Sequence, residues 1–263
     1  MSGVVTSSRR VPGWLIGLIT IGGLVGIWAL ASAKGWASPV FLPSPGKVMA
    51  ALTRAATDGY ANATLWAHMG ASLWRVMAAL VCTMAIGVPL GLIIASSRVG
   101  RAIFDPLIEF IRPLPPLAYL PLIIIWCGIG EVSKVLVIGI AMLAPIVIST
   151  VSGVRAASES QIRAARAFGA SNAALMREVM LPAALPSIFT GMRIALGAGW
   201  TTLVASELVA ATRGLGYMIQ SAAQFLVTDM VIAGILVISA LATISEVILR
   251  QIEKRFLPWI GRS

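Results

Sequence analysis

A chain of 263 residues, 58% of them hydrophobic and 11% charged, with a mean hydropathy of +0.92, excludes a soluble globular domain, since such domains carry about 25% charged residues. A formal charge of +10 then points to basic loops on one side of a membrane rather than to nucleic acid. Two cysteines in apolar runs, Cys82 and Cys127, and a single histidine, His68, exclude a disulfide framework and a metal cluster.

In chain order the pattern predicts one all-α integral membrane domain over residues 1–263 with six transmembrane helices. Met1 to Pro12 is a polar tail with Arg9 and Arg10, and Trp14 to Ala33 is a first apolar run of about 20 residues, a full bilayer crossing. Arg9-Arg10, the apolar core and Ala31-Ser32-Ala33 imitate a cleaved signal peptide, but such cores run about 7–15 residues, which favours a retained helix. Lys34 to Gly70 is mixed, with an amphipathic helix following Pro45 whose Lys47, Arg54 and Asp58 face solvent or the interface. Ala71 to Ala95 is the second span, with Arg75 near its start, and Ser96 to Arg101 a tight basic connection. Ile103 to Ile129 contains Pro106, Pro113, Pro115, Pro116 and Pro121. It therefore reads as a broken third span whose freed backbone groups must face protein or water. Lys134 to Val154 is the fourth span, Ile188 to Ala210 the fifth, Ala211 to Phe225 a glycine-containing loop, and Leu226 to Leu249 the sixth.

Basic residues orient the spans. The N-tail, the second-to-third and fourth-to-fifth connections and the C-tail hold Arg9, Arg10, Arg98, Arg101, Arg155, Arg163, Arg166, Arg177, Arg250, Lys254, Arg255 and Arg262. The alternate segments hold Lys34, Lys47, Arg54, Lys134 and Arg213. This asymmetry predicts a multi-pass protein with both termini in the cytoplasm.

Ionisable groups at membrane depth are costly and mark cavities or partners. Glu109 and Arg112 lie three residues apart, so on a helix they could neutralise each other. Arg193 is placed to snorkel to the interface. Glu207 sits toward the outer end of the fifth span, and Glu246 has Arg250 one turn on as its partner. Thr201 and Thr202, mid-span beside Trp200, either line a path or bond their own backbone carbonyls. Glu109, Arg112, Thr201, Thr202 and Glu207 are the candidate pathway residues. Successive spans carry no Asp/Glu/His relay, which argues against a proton-driven pump.

Gln161 to Pro186, between the fourth and fifth spans, is the one sizeable structured water-facing unit. Ile162, Ala165 and Phe168 share a helical face, with Arg163 and Arg166 on another. Gly169 can supply a left-handed residue that ends this helix. Ser171 is placed to cap a second helix, whose Leu175, Met176, Val179 and Met180 form an apolar stripe. Leu181-Pro182 and Leu185-Pro186 are expected to close the unit, because proline disfavours helix in the residue before it. The spacing of Ala165, Gly169 and Leu175 also fits a DNA-reading helix-turn-helix, but flanking apolar spans exclude that context. A solvated loop without a partner is the plainer alternative.

Ala164-Ala165, Gly169 and Leu181-Pro182 resemble the EAA loop of binding-protein-dependent ABC importer permeases. The usual Glu at the first motif position is Arg163 here. Residues 63–73 (ATLWAHMGASL), 108–134 (IEFIRPLPPLAYLPLIIIWCGIGEVSK) and 199–222 (GWTTLVASELVAATRGLGYMIQSA) resemble the aliphatic sulfonate, taurine and nitrate subfamily.

The resemblance implies a type I importer permease (MetI-like) fold and a coupling loop at about residues 158–186. In it Arg163, Ala164, Ala165, Arg166, Phe168, Gly169, Ala170, Ser171, Leu181 and Pro182 would contact the ATPase. It further implies a second permease copy, two cytoplasmic ABC ATPases, a periplasmic substrate-binding protein, and inner-membrane import of taurine, a related alkanesulfonate or a nitrate-like anion. The chain has no G-x-x-x-x-G-K-[ST] loop. ATP and Mg would therefore be bound by the partner ATPase, with no cofactor in this chain and no catalytic role. An ion-coupled secondary transporter is the alternative; its expected signs are internal repeats and intramembrane acids.

Overall fold

Glycine and proline punctuation cuts the chain into helices alone in the computed structural model, which describes residues 13–258. The basic tail residues Arg9, Arg10 and Arg262 lie outside them. The elements are α1 (Gly13–Ala33), α2 (Pro45–Thr57), α3 (Leu65–Ser96), α4 (Arg98–Ile111), α5 (Pro116–Cys127), α6 (Glu131–Arg155), α7 (Glu159–Ala167), α8 (Asn172–Leu175), α9 (Leu181–Ala210), α10 (Leu215–Gln224) and α11 (Thr228–Phe256).

Five helical stretches are long and apolar enough to cross a membrane: α1, α3, α6, the continuous rod from Asn172 to Val209, and α11. A sixth is present when α4 and α5, bent through 106° at their junction, count as one broken span. The sixfold pattern read from the sequence survives in that form. The break falls between Arg112 and Pro115, while Pro106 and Pro121 are accommodated inside their helices.

α6 is the axis of the bundle, packing most extensively on α9 and then on α3. Val76, Ile138, Met142, Ile146, Leu196, Trp200 and Leu203 fill that core. Small residues let the backbones close up: a Cβ on Gly153 would lie 2.9 Å from the Ala184 Cα, and one on Gly191 2.5 Å from the Ser149 Cβ. A second core forms where amphipathic α2 lays Val48, Ala51 and Ala55 against Leu215 and Met218 of α10 and Met230 of α11. Ser44 caps α2, its hydroxyl accepting from the Lys47 N–H at 3.4 Å, and Arg54 pairs with Asp229 at 3.2 Å. By contrast α1 leaves Leu18, Ile19, Ile21, Leu24 and Ile27 exposed, the pattern of a helix bathed in lipid.

The structure revises three expectations. Residues 215–224, expected within a loop, form α10, because Leu215, Met218 and Ala222 repeat at helical spacing and are buried. The second span starts earlier than read: Thr64 caps α3, accepting from the Ala67 N–H at 3.3 Å, so Arg75 sits about three turns inside the helix.

The third revision concerns Leu181-Pro182 and Leu185-Pro186, which do not close the unit. The helix runs through both prolines, because Met176–Met180 widens into a π turn in which the Leu181 N–H donates to the Met176 carbonyl. The wider turn redistributes the hydrogen bonds that Pro182 cannot make.

Candidate functional site: a presented helix, a polar cavity and a buried charge hub

At the end of the bundle where α6 finishes and α9 begins, the chain presents α7. None of its nine residues is buried, and Phe168 just beyond it is 92% exposed. Arg163 pairs loosely with Glu159 at 3.4 Å on the same surface. α7 ends as its sequence asks. Gly169 adopts φ +82°, the Ala170 N–H donates to the Ala165 carbonyl at 3.0 Å, and the Gly169 N–H donates to that of Arg166 at 2.9 Å. Ser171 then caps α8, its hydroxyl accepting from the Ala174 N–H at 3.2 Å. Leu175 of the predicted stripe is buried and Met176, Val179 and Met180 are half-buried, while Arg177 and Glu178 point out. The two helices thus form a stiff corner fastened to the bundle by one face.

Between α5, α6 and α9 lies a cavity of about 490 Å³, lined among others by Arg112, Tyr119, Ser149, Thr201 and Thr202. Arg112 reaches it because the chain breaks there. Thr201 faces it while its hydroxyl donates to the Gly197 carbonyl at 3.1 Å; Thr202, at its edge, is buried. A second, more polar cavity of about 230 Å³ adjoins it toward the end of α6, lined by Asp105, Glu109, Ser152 and Arg155. Arg112 and Ile148 border both cavities. Glu109 and Arg112, expected to neutralise each other, form no ion pair within 4 Å.

Glu207 stands away from both cavities. It is fully buried at the opposite end of the bundle, where α3 and α6 begin and α9 finishes. One Glu207 carboxylate oxygen accepts from Arg75 at 2.6 Å and Ser72 at 2.8 Å, the other from the Gly216 N–H at 2.7 Å. Arg75 also donates to both oxygens of Glu131, at 2.6 and 2.7 Å, and to the Arg213 carbonyl at 2.7 Å. Lys134 closes on Glu131 at 3.0 Å. His68 Nδ1 accepts from the Gly214 N–H at 3.0 Å, and Gly214 itself has φ +134°. The hub ties α3, α6, α9 and the turn before α10 together. Sequence reading noted Arg75 but missed this role. The usable signal was a lone cation in one apolar run and a lone carboxylate in another.

Arg193, expected to snorkel, instead reaches across to Glu253 of α11 at 3.6 Å, since α11 passes close by at that end. Glu246 and Arg250 pair at 2.6 Å, as their spacing predicts. Among the described residues no group of three His, Cys, Asp or Glu side chains is arranged to hold a metal.

Residues 87–258 match the family described as binding-protein-dependent transport system inner membrane component. The chain is 49% identical to the taurine transport system permease protein TauC of Escherichia coli (strain K12), over 97% of this chain and 92% of that protein. It is 37% identical to the putative aliphatic sulfonates transport permease protein SsuC of the same strain, over 95% and 92%. Among solved structures, a chain of the MetNI methionine ABC transporter in an inward-facing conformation superposes with a TM-score of 0.60 at 19% identity, covering 75% of this chain and 98% of that one. That likeness carries the fold: a MetI-like importer permease. The family match and the two relatives replace the reading of an ion-coupled secondary transporter. Membrane-spanning helices and a match over most of the chain lead to one conclusion: this is a multi-pass inner-membrane permease belonging to the binding-protein-dependent transport system family.

Proposed function

We propose that this chain forms the path by which an ATP-driven importer brings taurine, or a closely related alkanesulfonate, across the inner membrane. The reading of substrate rests on 49% identity along nearly the whole length of a taurine permease, against 37% for an aliphatic sulfonate permease. Two copies of the chain would face each other, with one ATPase beneath each and a substrate-binding protein seated at the Glu207 end. Both termini and α7 would lie in the cytoplasm, where basic connections gather. ATP and its Mg would be held by the ATPase.

The observation that carries the mechanism is α7. A nine-residue helix with no buried residue, ending in a 92% exposed Phe168, is a surface made for a partner. Arg163, Ala164, Ala165, Arg166 and Phe168 would face the ATPase groove. Gly169, Ala170 and Ser171 would hold the corner, while Leu181 and Pro182 lead the same helix into the bundle. Because α7 is joined by a short connection to α6 on one side and packs on α8 and the π turn that lead into α9 on the other, a movement of the ATPase would displace the walls of the Arg112–Thr201 cavity together. Alternating access would follow as rocking of the two copies about that cavity.

Reconstitution of the chain with its ATPase and a taurine-loaded binding protein in proteoliposomes tests this. ATP-dependent accumulation of labelled taurine is expected; an assembled complex that hydrolyses ATP yet never accumulates taurine would refute the reading.

A further inference from the structure

Arg112 is the one side chain of opposite sign to Asp105 and Glu109 that borders both cavities. Asp105 and Glu109, four residues apart, are neighbours on one face of α4. Arg155, at the end of α6, stands across the smaller cavity from them. The four charges sum to zero, yet none approaches another within 4 Å. At the other end of this molecule the buried Arg75 and Glu207 close into hydrogen-bonded pairs; here Glu109, Arg112 and Arg155 are exposed and Asp105 half-buried. These charges line about 230 Å³ of open space.

We propose that this cavity is a transit site for a zwitterion, and that it makes the permease itself select aminoalkanesulfonates over plain sulfonates. The inference rests on the proposed taurine reading. At neutral pH taurine carries a sulfonate and an ammonium two carbons apart. The planar guanidinium of Arg112, open to the larger cavity, takes the sulfonate oxygens. The ammonium then leads into the smaller cavity toward Asp105 and Glu109. Arg155, at the inner end, receives the sulfonate as the molecule leaves. A sulfonate without the ammonium can engage Arg112 and Arg155 but brings no cation of its own to Asp105 and Glu109, so it loses the half of the contact that taurine makes. No charge is held so tightly that release is blocked, because each has two candidate partners along the route.

The probes are taurine and isethionate, which carries a hydroxyl in place of the ammonium. Binding is measured by ligand-observed NMR on the permease–ATPase complex in nanodiscs, without binding protein, so that delivery cannot impose the preference. A taurine preference on the order of tenfold is expected, equivalent to about 1.4 kcal/mol. The double substitution Asp105→Asn with Glu109→Gln is expected to bring that preference close to one, and Arg112→Met to lower binding of both probes. Equal binding of the two probes by the parent complex, no binding of either, or a preference that persists in the double variant each overturns the proposal. The parent measurement stands even if the double variant does not assemble. ATP-dependent taurine uptake by the parent in proteoliposomes separates the two readings. Uptake without a zwitterion preference sinks only the transit site, whereas no uptake sinks the substrate assignment beneath it.

Discussion

The two ends of α6 carry charge in opposite ways. At its start, Glu131 and Lys134 join Arg75 and Glu207 in a hub closed at 2.6–3.0 Å, with Arg75 and Glu207 both buried. At its finish, Arg155 joins Asp105, Glu109 and Arg112 around open space with no pair inside 4 Å. The same residue types therefore do different work according to whether the backbone lets them meet. A closed set fixes how three spans and a turn sit together; an open set leaves its charges unpaired and facing open space.

Breaking the closed set has the largest expected effect. Arg75→Met leaves Glu207 buried and unpaired, which costs about 3–5 kcal/mol, and thermal unfolding of the purified permease in detergent is expected to show it. Adding Glu207→Leu to that variant removes the stranded charge and is expected to restore much of the loss; no recovery would mean that the hub acts through something other than charge pairing. Gly214→Ala probes the turn that the hub holds. Its φ of +134° suits glycine, and a Cβ there would strike the Glu207 carboxylate. A loss of about 1–3 kcal/mol is expected in the same assay.

The presented surface should respond in function instead. Phe168→Ala touches nothing buried, so the melting temperature is expected to hold. ATP-driven uptake and co-purification of the ATPase are expected to fall roughly tenfold, as when an interface anchor is truncated. Unchanged co-purification would show that Phe168 is not the anchor. The smallest effect is expected at the open set: Asp105→Asn with Glu109→Gln should shift stability by no more than about 0.5 kcal/mol. A large destabilisation there would erase the contrast between the two ends of α6.

How much was legible in the sequence follows the range of the interaction concerned. Apolar runs, the Gly169 turn and the Ser171 cap are local, and their chemistry is written in neighbouring residues. The proline-broken span was legible as a kind but not as a place, since five prolines offered several breaks and only the stretch from Arg112 to Pro115 took it. The hub was not legible, because Arg75 and Glu207 lie 132 residues apart and each alone reads as an oddity in a span. Arg112 could be picked out from its setting. Its independence of Glu109 could not, because helical spacing promises a pair that the two side chains do not form. Prolines 182 and 186 misled for a physical reason: the rule that proline ends a helix assumes an unbroken α ladder.

That π turn between α8 and α9 has a consequence for indexing. A turn holding one residue more than its neighbours displaces everything beyond it by about 100° around the shared axis. The rod from Asn172 to Val209 is thus one shaft with two angular scales. Leu175 is aimed into the bundle on the first scale, and Thr201 and Thr202 reach the cavity on the second. A wheel drawn at 3.6 residues per turn through the whole rod would point one set wrongly. The extra residue at Met176–Met180 is therefore the vernier that lets the exposed corner and the cavity wall share a single helix while each faces its own way.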